Sequence, residues 1–268
     1  MPTRRPPPPP APPPDATDAG GALFVASVDK AMRVLSVFGP GRSALTLAEI
    51  AAFTGIGRSA AQRFVHTLHV LGYLRRDESS RRYALSTRLL GLVRGMLASH
   101  APLERAQPVM AELARRTGET VSWVELDGDE IVIVANIPSV HVARVHLTVG
   151  SRFAALPASS GQVLLWDAPA ERVAALLAQL RDDDRARLPP GGEAEVVAGL
   201  QRARRAGYAL TERHLDPHGV SLSAPVSGVG GQVVAALNIS TLKSRYDAAR
   251  ARRELAPALL AACQALSG

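Results

Sequence analysis

A threonine three residues ahead of a glutamate, followed by an apolar repeat, a glycine and a second helical repeat, is the feature that leaves this chain the fewest choices. Thr46-Leu47-Ala48-Glu49 has the form of a capping box. In such a box the Thr46 hydroxyl accepts from the Glu49 N–H while the Glu49 carboxylate reaches back to the Thr46 N–H, so both donors are satisfied. Leu47, Ile50, Ala51 and Thr54 then recur at helical spacing, and Gly55 stands where a left-handed residue ends a helix. After Gly55-Ile56-Gly57 a second repeat places Ala61, Phe64, Val65, Leu68 and Leu71 on one face and Ser59, Gln62, Arg63 and His66 on the other. Two short helices joined by a tight glycine turn, with the small Ala51 at their crossing, meet the requirements of a helix-turn-helix.

A basic hairpin follows. Tyr73-Leu74-Arg75-Arg76 and Arg82-Tyr83-Ala84-Leu85 read as short strands, with the polar residues 77–81 as their tip. Arg75, Arg76, Arg81 and Arg82 flank that tip, each suited to a phosphate, and such contacts supply affinity without reading sequence. Thr46 at the first helix start, and Arg58, Ser59, Gln62, Arg63 and His66 on the second helix, complete the candidate DNA-contact set. In this motif the start of the second helix enters the major groove, where Arg and Gln can bond guanine and adenine edges. The alternatives are phosphate contact alone or, for the whole stretch, a small helical core with a solvated basic face; the order of the parts favours the DNA reading.

With 268 residues, 47% of them hydrophobic, the chain has enough apolar material for two domains. Its formal charge is +7, and residues 24–86 hold nine Lys and Arg against four Asp and Glu. A GC-rich genome would explain the Arg total but not this concentration near the helix-turn-helix. The single cysteine, Cys263, excludes an internal disulfide and fits a reducing compartment. No apolar run is long enough for a membrane span, and Arg4-Arg5 leads into prolines, so neither a membrane nor an export signal is expected and the location is read as cytoplasmic. Residues 1–23 hold nine of the twenty prolines and are expected to form a disordered, partly polyproline-II tail.

Helices are predicted over 27–38, with Val28, Ala31, Met32, Leu35 and Phe38 as its buried stripe, over 86–98 with Ser86 as cap, and over 103–117. The leucine-rich 86–98 helix needs a partner, for which a second subunit is the candidate. The period then shortens: residues 121–126 and 131–134 flank Asp127-Gly128-Asp129, a hairpin signal, and 142–147 is a third strand candidate. Helices are predicted over 159–165, 170–180 and 193–206, strands over 208–211, 220–226 and 233–240, and a last helix over 245–266. Two groups of strands with helices between and after them define an antiparallel α+β domain. The division is 1–23 tail, 24–86 winged helix-turn-helix, 87–101 linker helix and 102–268 second domain.

Asn238 and Ser240 lie two apart on one strand and Ser221 and Ser223 two apart on another, so each pair shares a face. Four polar side chains on a buried face call for something to bond them; a solvent-exposed face is the alternative. Ser159, Ser160 and Gly161 open a helix whose free N–H groups suit an anion, and Thr211 on the preceding strand joins this set. His214, Asp216 and His218 have metal-ligand chemistry, but Pro217 breaks the helix that would align the histidines, and no metal or other cofactor is expected. Ser160-Gly161 with distant histidines raises acyl transfer, yet no Gly-x-Ser-x-Gly elbow, dinucleotide loop or Walker motif is present, so an enzyme is not expected. An architectural DNA binder would not need the polar domain.

From residue 24 onward the sequence resembles the IclR family of bacterial transcription regulators. The first half is similar through Ser27-Val28-Asp29-Lys30-Ala31-Met32-Arg33-Val34-Leu35, Leu47-Ala48-Glu49-Ile50-Ala51, and Gln62-Arg63-Phe64 leading to Leu71-Gly72-Tyr73. The second is similar through Val149-Gly150-Ser151-Arg152-Phe153, Ser159-Ser160-Gly161-Gln162-Val163, Arg205-Ala206-Gly207-Tyr208 and Ala224-Pro225-Val226. The resemblance implies a GAF-like effector domain, a homodimer or homotetramer on double-stranded DNA, and a small carboxylate as signal. Within the family, Val134-Ala135-Asn136 and residues 235–240 are most similar to the branch controlling aromatic-acid degradation, which implies an aromatic acid or its breakdown product. The alternatives are a regulator of glyoxylate or other small aliphatic acids or of efflux, and a ligand-independent DNA binder. His214 stands where the family usually has an acidic residue, His218-Gly219 shifts a glycine by one, and Leu156-Pro157 replaces a small residue and a histidine.

Overall fold

The computed structural model describes residues 23–188, 191–213 and 216–267. The proline-rich segment up to residue 22 and the pair His214-Leu215 lie outside the described residues. The chain forms two compact units, the first ending at His100 and the second beginning at Ala101.

The first unit runs α1 (Ala26–Ser36), α2 (Leu47–Thr54), α3 (Arg58–Val70), β1 (Leu74–Arg76), β2 (Tyr83–Leu85) and α4 (Leu89–Ala98). Val34, Val37, Phe38, Leu45, Ile50, Val65, Leu68 and Leu74 form its core. β1 and β2 pair antiparallel, and Leu45 exchanges backbone hydrogen bonds with Tyr83 at 2.8 and 2.7 Å, so the chain entering α2 is bridged to the hairpin. Gly55 ends α2 at φ +67°, a conformation that costs a residue with a Cβ.

Three expectations here need correction. Val28 and Met32 are exposed, and the buried face of α1 is carried by Val34, with Val37 and Phe38 just beyond the helix. Only the C-terminal end of α1 reaches the shared core; the helical repeat marked an apolar stripe without saying which half of it would be covered. Leu71 is likewise exposed, one residue past the end of α3. Ser86 is not the cap expected of it: α4 begins at Leu89, and Ser86, three residues ahead, accepts from the Arg88 N–H at 3.1 Å and donates to the Gly72 carbonyl. It therefore ties the approach to α4 back to the hairpin.

The second unit runs α5 (Ala101–Thr117), β3 (Thr120–Asp127), β4 (Glu130–Ile137), β5 (Arg152–Ala154), α6 (Ser159–Leu165), α7 (Ala170–Gln179), α8 (Asp182–Arg185), α9 (Gly192–Ala206), β6 (Ala209–Glu212), β7 (Gly219–Ser227), β8 (Val233–Leu242) and α10 (Ala248–Leu266). The strands form one antiparallel sheet in the order β5-β4-β3-β8-β7-β6. Ser159 of α6 bonds Ser223 of β7, whereas Cys263 of α10 lies against Ala224, the next residue of β7, so α6 and α10 take opposite faces. Burial pushes the Cys263 thiol up to about 12, which keeps it protonated.

Residues 142–147 do not form the expected strand. Val145 and Leu147 are buried and Val142 is exposed, which produces the alternation, but no neighbouring strand pairs with their backbone. The segment is held by side chains instead: Asn136 Nδ2 donates to the Leu147 carbonyl at 2.9 Å and Arg245 donates to the Ala143 carbonyl at 2.9 Å. Arg245 also binds both oxygens of the fully buried Glu119, at 2.6 and 2.8 Å. The strand at this edge of the sheet is β5, and α8 is a short turn that no periodicity announced.

Candidate nucleic-acid interface and ligand site

The capping box forms as its residue types require. Thr46 N–H donates to Glu49 Oε2 at 2.7 Å, and Glu49 N–H donates to Thr46 Oγ1 at 3.3 Å. These bonds and the nearby Arg82 hold the Glu49 carboxyl below its usual range. Gly55 then turns the chain into α3, whose Ala61, Val65 and Leu68 are buried while Arg58, Ser59, Gln62, Arg63 and His66 are exposed. One end of an amphipathic helix therefore presents two guanidinium groups, an amide, a hydroxyl and an imidazole together, donors and acceptors that suit base edges and phosphates alike.

The wing arginines are not equivalent. Arg75 and Arg81 are exposed, and Arg81 adopts φ +54° at the hairpin tip. Arg76 lies 5.9 Å from the centre of the Tyr83 ring and 3.9 Å from Glu78. Arg82 is committed to the fold: it donates to the Ala44 carbonyl at 2.8 Å and lies 3.2 Å from Glu49. Sequence reasoning set Arg82 beside the other three because the hairpin pattern does not show which side of the wing meets α2. The tip is closed by Asp77, whose Oδ1 accepts from Ser79 Oγ at 2.6 Å, the Ser80 N–H at 2.7 Å and Ser80 Oγ at 2.9 Å. Those bonds, the Ser79 hydroxyl foremost, pull its carboxyl down to about 2.

In the second unit the polar residues of the sheet gather on the α6 face in two rows. Thr211, Ser221, Ser240 and Thr120 lie opposite one another across β6, β7, β8 and β3, and Ser223, Asn238, Ser122 and Asn136 across β7, β8, β3 and β4. Ser221, Ser223, Asn238, Ser240, Thr120 and Ser122 are all buried, as are Ser159 and Ser160 of α6, which removes the solvent-exposed alternative. Ser159 and Ser223 hydroxyls are 2.9 Å apart, Ser223 donates to Asn238 Oδ1 at 3.4 Å, Asn238 Nδ2 donates to Ser240 at 3.0 Å, and Ser240 is 3.2 Å from Ser221. Ser122 donates to Asn136 Oδ1 at 2.8 Å.

Thr120, Ser122 and Asn136 escaped sequence reasoning. The signal was available: Thr120 and Ser122 alternate with Val121 and Trp123, and only the register with β8 sets them beside Ser240 and Asn238. Gly161 has a different use from the serines before it. A Cβ built on it would lie 1.9 Å from the Ala155 carbonyl oxygen, so this glycine lets α6 settle against the chain leaving β5. Thr211 faces Ser221 across the ladder, yet its buried hydroxyl has no partner among the described residues.

A winged helix-turn-helix in the first unit and an antiparallel α+β second unit define the class of two-domain DNA-binding proteins. The comparisons agree. Residues 27–78 match the IclR helix-turn-helix domain and residues 95–268 match the bacterial transcriptional regulator IclR C-terminal domain, so the chain belongs to the IclR family of transcriptional regulators. It is 30% identical over 244 residues to the Pca regulon regulatory protein of Pseudomonas putida, covering 91% of this chain and 83% of that one. It is also 30% identical over 233 residues to the p-hydroxybenzoate hydroxylase transcriptional activator of Acinetobacter baylyi, covering 84% of each. A crystal structure of a regulator from Rhodococcus sp. RHA1 superposes with a TM-score of 0.77 at 30% identity, over 91% of this chain and 97% of that one. These relatives are regulators, not enzymes, and among the described residues no helix is long and apolar enough to cross a membrane.

Proposed function

We propose that this regulator binds its operator as a dimer or dimer of dimers and answers to a small carboxylate, an aromatic acid or its breakdown product, held on the polar face of the second unit. The observation that carries this reading is the buried cluster of Ser159, Ser160, Ser221, Ser223, Asn238 and Ser240. Hydroxyls and an amide buried together cost stability relative to an apolar face of the same shape, and the site repays that cost when they bond a ligand. The N–H groups of Ser159, Ser160 and Gly161 at the start of α6 would take the carboxylate, and Asn238 with Ser221 and Ser240 a second polar group. Similarity to a Pca regulon regulatory protein and to a p-hydroxybenzoate hydroxylase transcriptional activator supports an aromatic acid over an aliphatic one.

On DNA, Arg58, Ser59, Gln62, Arg63 and His66 would read the major groove, with Thr46, Arg75, Arg76 and Arg81 on phosphates, inside the cytoplasm where the operator lies. Self-association is supported by apolar residues that the single chain leaves exposed: Val28 and Met32 of α1, and Leu90, Leu92, Val93 and Met96 of α4. A signal can change operator affinity only by its difference in affinity for the two arrangements of the dimer, so a tenfold change needs about 1.4 kcal/mol. Thermal shift against a panel of aromatic and aliphatic acids, p-hydroxybenzoate among them, tests the reading. An aromatic acid raises the melting temperature and changes operator binding in the same concentration range. If no acid on the panel stabilises the protein, the sheet face is not a carboxylate site; sedimentation as a monomer at micromolar concentration would remove the dimer.

A further inference from the structure

The edge of the sheet carries a recess whose chemistry differs from that of the polar sheet face. Beside β6, bounded by α6, α9, α10 and the chain after α8, lies a cavity of about 480 Å³, within the roughly 300–1,000 Å³ typical of small-ligand sites. Among the described residues its charged lining consists of Arg187, Arg202 and Arg252 against the carboxylate of Glu212. The neighbouring ion pairs do not cancel that excess. Arg187 bonds Asp184 at 2.9 Å, but Asp184 is shared with Arg181; Arg202 bonds Glu195 at 2.6 Å, and Glu212 is matched by Lys243 at 3.4 Å. The partners thus add cations and carboxylates in equal number. Arg252 forms no ion pair among the described residues.

Two further features point to a ligand. Thr211 lines the cavity, and its hydroxyl, like that of Thr241, has no hydrogen-bond partner among the described residues; a polar group so placed gains from a ligand atom that bonds it. The Tyr208 ring and a set of alanine and leucine side chains supply apolar wall between the arginines. By contrast, the buried sheet-face cluster around Asn238 contains only hydroxyls and amides, so the two places suit different charges. Several guanidinium groups lining one concavity favour an anion carrying more than one negative charge, because each can take acceptor oxygens and the like charges focus the field.

We propose that the β6-edge cavity binds a small organic dianion, independently of the ligand on the sheet face. The shared chemistry is two negative charges on a compact carbon body, from two carboxylates or from one phosphate monoester. Thr211, grouped above with the sheet-face residues, would belong to this second site and bond the ligand's polar atoms.

The test is calorimetric titration of the full-length protein with succinate, glycerol 2-phosphate and acetate at matched ionic strength. At least one dianion binds ten times more tightly than acetate, and whichever of the two binds better identifies the head group. Replacing Arg202 and Arg252 together by Ala weakens that dianion at least tenfold. Thr211→Val removes the orphaned hydroxyl, so its unliganded melting temperature is no lower than wild type while dianion binding falls several-fold; this variant keeps the test decisive should the double replacement not fold. Asn238→Leu binds the dianion as wild type does, whatever becomes of aromatic acids on the sheet face. Equal affinity for acetate and both dianions, wild-type binding in the arginine and Thr211 variants, or loss of the dianion in Asn238→Leu would each overturn the proposal.

Discussion

Glu49 and Arg82 join the first helix of the reading head to its wing: the carboxylate that caps α2 through Thr46 also holds the Arg82 guanidinium 3.2 Å away. One side chain therefore fixes both the start of α2 and the second wing strand. Glu49→Ala removes a cap contact of about 1 kcal/mol and a half-exposed ion pair of roughly 0.2–1 kcal/mol. Urea unfolding of the first unit's signal should report a loss of about 1–2 kcal/mol, and DNA affinity should fall for every sequence. An unchanged unfolding midpoint would mean that the wing is held elsewhere.

The helix-turn-helix was legible because its instructions are local. The Thr46 to Glu49 spacing and Gly55 each act within a turn of helix, and the structure forms both. What escaped was set by contacts distant in sequence. Nothing near Arg82 announces Ala44 and Glu49, and nothing near Ser122 announces Asn238; only chain crossing and strand register create those pairs. The expected strand at 142–147 failed for the same reason, since alternation describes which side chains are buried and not whether another strand lies alongside.

Base reading and phosphate contact separate by mutation. Arg63 is exposed on α3, and Arg81 is exposed at the wing tip. Arg63→Ala should cost about 1–3 kcal/mol on the operator and much less on random DNA, whereas Arg81→Ala should weaken both alike and lower the salt slope by about one. Gel-shift titrations at several salt concentrations measure both. Parallel losses in the two variants would take base reading away from Arg63.

The wing tip should loosen in acid. The Asp77 carboxyl is lowered from 3.8 to about 2 by hydrogen bonds from Ser79 and Ser80. A depressed carboxylate contributes stability that is present above its unfolded value and lost as pH falls through its folded one, so the window runs from about 4 down to about 2. Glu49 is shifted in the same direction. Carboxyl-carbon titration by NMR should place the Asp77 midpoint near 2; a midpoint near 3.8 would show that the tip is open in solution.

Gly161 tests the packing of α6. A Cβ there meets the Ala155 carbonyl carbon and oxygen at 2.4 and 1.9 Å, backbone atoms that cannot swing aside. Gly161→Ala should destabilise the second unit by about 1–3 kcal/mol, despite the better helix propensity of alanine, and should shift Ser159 away from Ser223. A melting temperature equal to wild type would mean that α6 has freedom to retreat.

Asn238 decides whether the polar sheet face is a binding site or only a satisfied core. Its amide donates to Ser240 and accepts from Ser223, but each serine has another partner, Ser221 and Ser159 respectively. Asn238→Leu therefore leaves neither hydroxyl orphaned, and the two lost hydrogen bonds, about 1 kcal/mol each, are offset in part by burying an apolar side chain of similar size. Stability should stay within about 1 kcal/mol of wild type, and operator affinity without ligand should be unchanged. The response to an aromatic acid is another matter, because the Asn238 amide can donate and accept at once through separate atoms. Its loss should weaken the acid at least tenfold, about 1.4 kcal/mol, in thermal shift and in the operator response together. A variant that keeps its stability and still answers the acid like wild type would return this face to the status of a hydrogen-bonded core and move the sensing site elsewhere.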